Sequence, residues 1–140
     1  MKVAFTSTDG RAIDQHFGMA ERFHVWEVGP ENAECVGTVS AITSAGDEED
    51  RISARATAIA DCTIVYTMQI GGPAAAKLVS RRIHPMKTAA EVPIAEVVEK
   101  LQAVLRGRPP PWLRKAMGER PGLGAGAPGA EDEPPETIEQ

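Results

Sequence analysis

Cysteine is almost missing: Cys35 and Cys62 are the only two in 140 residues, and they form no C-x-x-C pair. That excludes a disulfide framework, a four-cysteine zinc site and a fully cysteine-ligated iron–sulfur site. Aromatics are few, with three Phe, two Trp and one Tyr, so Val, Ile, Leu and Ala must build any core. No apolar run approaches the ~20 residues that cross a bilayer. Met1-Lys2-Val3-Ala4-Phe5 leads straight into a strand-like pattern, without the long apolar segment of a signal peptide. There is no Walker A sequence, no G-x-S-x-G elbow and no internal repeat. The expectation is a cytoplasmic protein that binds neither membrane nor nucleic acid.

What is present reads as an ordinary globular chain, with 42% apolar and 25% charged residues and a length suited to one domain. The net charge of −5 is not spread evenly. Residues 119–140 hold six acids against Arg120, whereas residues 1–118 are neutral. Residues 62–90 contain Lys77, Arg81, Arg82 and Lys87 but no acid, a zone that would receive a small anion.

Local patterns predict a first strand over residues 2–7, a turn at Thr8-Asp9-Gly10, and a loop with Asp14, His16 and Gly18. Strands over 23–28 and 35–42 flank Gly29-Pro30-Glu31-Asn32 as an antiparallel hairpin. Asp47-Glu48-Glu49-Asp50 suit the first turn of a helix whose apolar face is Ile52, Ala56 and Ile59. A β-branched strand over 63–70 ends at Gly71-Gly72, and Pro73 starts a helix to about Arg82. A short strand over 86–90 precedes the last helix, whose face reads Ile94, Val97, Val98, Leu101, Val104 and Leu105 before Gly107. Residues 108–113 are expected to be extended, because consecutive prolines favour polyproline II. The domain is thus residues 1–117, a core of 1–107 with a Pro/Trp extension. Residues 118–140 form a tail too rich in Gly, Pro and acids to be ordered by burial. The order of elements implies a mixed five-stranded α/β sheet flanked by three helices, with the first strand central and parallel to the fourth.

In such sheets ligands gather beyond the carboxyl ends of the parallel strands. Tracing strand directions puts Ser7 to His16, Met19, residues 40–44, Met68 to Pro73 and residues 89–93 at that pole. Cys35, Cys62 and His84 fall at the other. His16 is then the histidine of the ligand pole, with His24 near it, the thioethers of Met19 and Met68 as neighbours, and Gly71-Gly72 opening a helix whose amides suit an anion. Each residue also has an ordinary role: a surface loop, a strand-to-helix turn, core filler for the methionines, a buried small hydrophobe for Cys62. Asp9 and Asp14 are the only acids near the first strand's end, too few for a two-metal nuclease.

Asp14-Gln15-His16-Phe17-Gly18, Ile70-Gly71-Gly72-Pro73-Ala74-Ala75-Ala76 and Leu105-Arg106-Gly107-Arg108-Pro109-Pro110-Pro111-Trp112-Leu113 together resemble the nitrogenase iron–molybdenum cofactor biosynthesis family. Its NifX-type branch is the most similar, and NifY-type proteins and the NifB carboxyl-terminal domain share the domain. The resemblance implies a ribonuclease-H-like fold and a carrier, not an enzyme. Such a carrier transiently binds an iron–sulfur precursor of the nitrogenase cofactor and passes it from a NifB-type source to a scaffold acceptor. It implies His16 as the metal contact, with Phe17, Gly18, Met19, Met68, Gly71 and Gly72 around the cargo. The competing reading is a protein-interaction module that docks on dinitrogenase or the scaffold through Trp112 and binds no cluster.

Overall fold

The computed structural model describes residues 1–41 and 46–116. The chain runs through β1 (Lys2–Thr6), β2 (Ala12–Ile13), a 3-10 turn (Phe17–Met19), β3 (Arg22–Val28), β4 (Ala33–Ser40) and α1 (Glu48–Ala58). It continues through β5 (Ile64–Thr67), α2 (Gly72–Ser80), β6 (His84–Lys87), β7 (Val92–Pro93), α3 (Ile94–Arg106) and α4 (Pro111–Ala116). Five strands form a mixed sheet in the order β4-β3-β1-β5-β6, while β2 and β7 pair separately. β1 is antiparallel to β3 and parallel to β5, β3 and β4 are an antiparallel hairpin, and β5–β6 is parallel. The central, two-sided position expected for the first strand is therefore what the backbone adopts.

That position explains why the β1 sequence does not alternate. Val3, Ala4, Phe5 and Thr6 are all fully buried, as a strand covered on both faces requires. Val3, Phe5, Ile64, Tyr66 and Met86 pack on the α3 side with Ile94, Val97, Val98 and Leu101. Phe5 and Tyr66 stack there with ring centroids 5.5 Å apart. Ala4, Phe23, Val25 and Val65 pack on the opposite side with Ala56, Ile59, Ala74 and Leu78 of the α1–α2 layer. The acid cluster caps α1: Asp47 Oδ1 accepts from the Asp50 amide at 3.0 Å, and Asp50 Oδ2 accepts from the Asp47 amide at 3.3 Å. This reciprocal box satisfies donors that a helix start leaves open.

Four details depart from the sequence pattern. β5 stops at Thr67, because beyond it the backbone turns to meet the His16 loop. β6 begins at His84, two residues earlier than expected; Pro85 is tolerated because β6 is an edge strand. Val104 is 38% exposed, so the buried stripe of α3 ends at Leu101. Most clearly, Pro111, Trp112 and Leu113 are helical and not extended. The amides of Leu113 and Arg114 both donate to the Pro110 carbonyl, and Pro111 suits a first helical position. Leu113 is buried in the α3-side core, and Trp112 packs at a tilt against His84 with ring centroids 4.9 Å apart. Trp112 therefore covers the domain rather than standing free as a docking anchor. The tail over 118–140 and most of the loop at 40–44 lie outside the described residues.

Leu113→Ala should lower stability by about 2–4 kcal/mol, the cost of a buried leucine cavity, with the urea midpoint as the readout. Arg108→Ala, at an exposed position, should leave that midpoint unchanged. Burial lowers the His84 pKa from its ordinary value of about 6.5. The neutral form is thus favoured on folding, so the stabilisation is full above that value and declines as pH falls below it. Urea midpoints at about pH 7.5 and about pH 5.5 should therefore differ more for wild type than for His84→Gln.

Candidate functional site

The His16 loop is held by an extension of the parallel ladder past the end of β5. The Met68 amide donates to the Gln15 carbonyl at 3.0 Å, and the Phe17 amide donates to the Gln69 carbonyl at 2.8 Å. His16 itself bridges Gln69 in parallel register. Two fully buried threonines reinforce the join. Thr6 Oγ1 donates toward the Gln15 carbonyl at 3.1 Å and Thr67 Oγ1 at 3.0 Å. Immediately after Gln69 come Ile70 and the Gly71 cap of α2, so the loop and the helix start lie one short step apart along the same backbone.

The side chains of the loop divide by direction. Phe17 is 1% exposed and packs 5.7 Å from Phe23, anchoring the 3-10 turn in the α1-side core. His16 is exposed at the start of that turn, and Met19 at its end is 69% exposed. An imidazole and a thioether, both donors to soft metals, thus stand free on either side of an anchored ring. Met68 is half-buried against the α3-side core, as a filler methionine would be. His24 alternates with Phe23 and Val25 and so lies on the α3 side, its ring against Gly10. Its Nε2 is buried and has no partner among the described residues. Asp9 and Asp14 are committed to the turn: Asp9 Oδ1 accepts from the Arg11 amide at 2.8 Å, and Asp14 accepts from the Thr8 amide and hydroxyl. That bond to the Arg11 amide is the main reason the Asp9 carboxyl lies below its usual range.

The site glycines are not demanded by folding. Neither Gly18, Gly71 nor Gly72 has a left-handed φ. A Cβ at Gly18 or Gly72 would meet nothing within 4 Å, and one at Gly71 only Pro73 Cδ at 3.9 Å. Gly10 and Gly46 are different: both have positive φ, and a Cβ would crowd His24 and Asp50. Bare backbone beside an exposed His16 leaves room for a bulky group at the α2 start, whereas the Phe17, Met19 and Ala20 amides already donate to the carbonyls of Gln69, His16 and Phe17.

The cysteines lie where strand direction placed them. Cys35 is exposed opposite Trp26, toward the far end of the hairpin from Arg22 and Ser40. Burial pushes the Cys62 thiol up to about 12, which keeps it protonated and a poor ligand. The basic residues expected to soften an anion are partly committed: Lys77 pairs with Glu49 at 3.2 Å, and Arg81 donates to Thr57 Oγ1 at 3.1 Å. Arg55, which sequence reasoning passed over, is buried instead behind the turn. Its Nε donates to the Ala20 carbonyl at 3.1 Å and Nη1 to the Arg51 carbonyl at 3.3 Å. The signal was its spacing, three residues after Ile52 and four before Ile59, on the buried stripe of α1.

The dinitrogenase iron-molybdenum cofactor family model matches residues 1–104. NifX of Herbaspirillum seropedicae is 43% identical over 120 residues, which cover 84% of this chain and 82% of that protein. NifY of Azotobacter vinelandii is 40% identical over 121 residues, 86% of this chain, though the chain spans only 50% of that longer protein. The crystal structure of PH0822 has the same fold, with a TM-score of 0.55 at 24% identity, over 74% of this chain and 90% of that one.

Gly18→Ala and Gly72→Ala should leave thermal stability within about 1 kcal/mol of wild type, or raise it, because the unfolded chain loses freedom and nothing clashes. Gly10→Ala, with φ +80 and His24 at 3.1 Å, should be clearly destabilised in the same melting experiment. Equal losses at all three positions would mean that the site glycines serve folding after all.

Proposed function

Because this chain belongs to the dinitrogenase iron–molybdenum cofactor family, we propose that it is a carrier that transiently binds an iron–sulfur precursor of that cofactor and transfers it between assembly proteins. The observation that carries this reading is the pairing of an exposed His16 with the bare start of α2, joined by the backbone ladder at Gln69. His16 offers a metal one imidazole, and Met19 can add a thioether. The sulfide face of the cargo is anionic, and the α2 start at Gly71-Gly72 presents amides and a positive dipole end to it. Gly18 keeps the turn clear for a group larger than a single ion. One imidazole with backbone donors holds less tightly than a cage of thiolates, which suits release to an acceptor.

Within the family we read the chain as NifX-type, supported by its 43% identity to the Herbaspirillum NifX against 40% to the Azotobacter NifY. The source of cargo is then a NifB-type protein and its destination a scaffold acceptor. The work is binding and handover, not catalysis, in the cytoplasm, and we name the sheet ribonuclease-H-like. Among the described residues no helix is long and apolar enough to cross a membrane.

An anaerobic titration with cluster precursor tests the site. His16→Ala should bind at least on the order of 10- to 100-fold more weakly than wild type, the loss seen when a metal site loses even an outer partner. Cys35→Ser should bind like wild type. Iron and sulfide analysis of the purified complex gives the cargo directly, and a His16→Ala protein that binds as tightly as wild type overturns the assignment.

A further inference from the structure

Arg55 is a buried cation with no carboxylate within ion-pair distance among the described residues. It is 8% exposed, and it donates to two carbonyls, those of Ala20 and Arg51. A guanidinium has five N–H donors and stays charged in proteins, and among the described residues its hydrogen-bond acceptors are two neutral carbonyls. Burying such a charge is costly unless something of opposite sign is near. The charged residues acting on it do not cancel it. Arg51, one turn earlier on the same helix, adds like charge, and Glu21 beside Ala20 is the single carboxylate that opposes it. Asp47 and Asp50 are committed to the α1 cap, and Glu49 to Lys77. Residues 42–45, which follow Ala41, contain no acid.

The place of this charge matters as much as its sign. Helical side chains lean toward the helix start, so Arg55 reaches back along α1 toward the pole that carries the His16 loop. Its contact, Ala20, is the residue that closes the Phe17–Met19 turn, with its amide donating to the Phe17 carbonyl at 3.3 Å. Resting on the carrier reading of that loop, we propose that Arg55 is the residue that selects for charge at the site. It stands behind the turn without touching cargo, and supplies an uncompensated positive field that favours an anionic metal–sulfide cluster over neutral or cationic metal species. Glu21 sets the size of that field by partly opposing it.

The probe is the dianionic, thiolate-ligated synthetic 4Fe–4S cubane, titrated anaerobically into the full chain from about 0.05 to about 0.5 M salt, where screening changes strongly. Arg55→Met should bind about tenfold more weakly at low salt, with a shallower salt dependence, as expected for the loss of one charge behind the site. Arg55→Lys should keep the salt dependence, since charge and not fork geometry is the agent. Glu21→Gln, at an exposed position, should bind more tightly and with a steeper dependence. His16→Ala should weaken binding without changing the slope, because it removes a ligand and not a charge. A residue that merely propped up the turn would alter affinity but not slope. If wild type binds no cubane, both the carrier reading and the Arg55 role fall. If wild type binds and Arg55→Met matches it in affinity and slope, the Arg55 role alone falls. Should Arg55→Met not fold, Glu21→Gln decides, and an unchanged affinity and slope there overturns the proposal.

Discussion

Everything at the candidate site depends on one backbone carbonyl, that of Gln15. It receives the Met68 amide and lies within hydrogen-bond reach of the hydroxyls of Thr6 and Thr67, from the ends of β1 and β5. Those two strands are the parallel pair at the centre of the sheet, so the loop is tied to the most deeply buried part of the fold. A loop joined in this way inherits the rigidity of the sheet, although its outer side chains are exposed. Phe17, pushed into the α1-side core, locks the direction in which the turn faces. The site is therefore a rigid mount carrying a few free groups, which fits a role in which cargo comes and goes while the protein stays unchanged.

The electrostatics follow from the same join. Two groups near the loop bring positive charge, the backbone start of α2 beyond Gln69 and the buried Arg55 guanidinium bonded to the Ala20 carbonyl. Surface lysines and arginines contribute less than composition suggested, because Lys77 and Arg81 are tied to Glu49 and Thr57 along the α1–α2 layer. On the proposed carrier reading, such a site would hold an anion by sign and a metal by a soft donor, each contribution small enough to be reversed.

Much of this was legible before any coordinates. The long apolar face of α3, the cap at Asp47, the glycine pair before α2 and the hairpin at residues 29–32 are local patterns, and local patterns survive into the fold. Strand directions alone placed Cys35, Cys62 and His84 away from His16. Three things were not legible. The helix at Pro111–Ala116 was hidden because a proline run suggests an extended chain, whereas burial of Leu113 and the tilted contact of Trp112 with His84 favour a helical turn. The split among the loop side chains, with Phe17 inward and His16 and Met19 outward, depends on the register of a ladder between residues far apart in sequence. Arg55 was passed over because a charged residue in a helix is ordinarily solvated, even on a stripe with apolar neighbours.

The division has a physical basis. Sequence by itself determined the five strands of the main sheet, the three longer helices and their order, since helix periodicity, turn chemistry and strand polarity act over a few residues. Only the tertiary structure decided which side chains of the His16 loop are exposed and which cation, among the described residues, is buried without a carboxylate in ion-pair distance. Those outcomes depend on hydrogen bonds and burial between segments 35 to 60 residues apart, such as Arg55 with Ala20 and Thr6 with Tyr66. No local pattern in the chain encodes them.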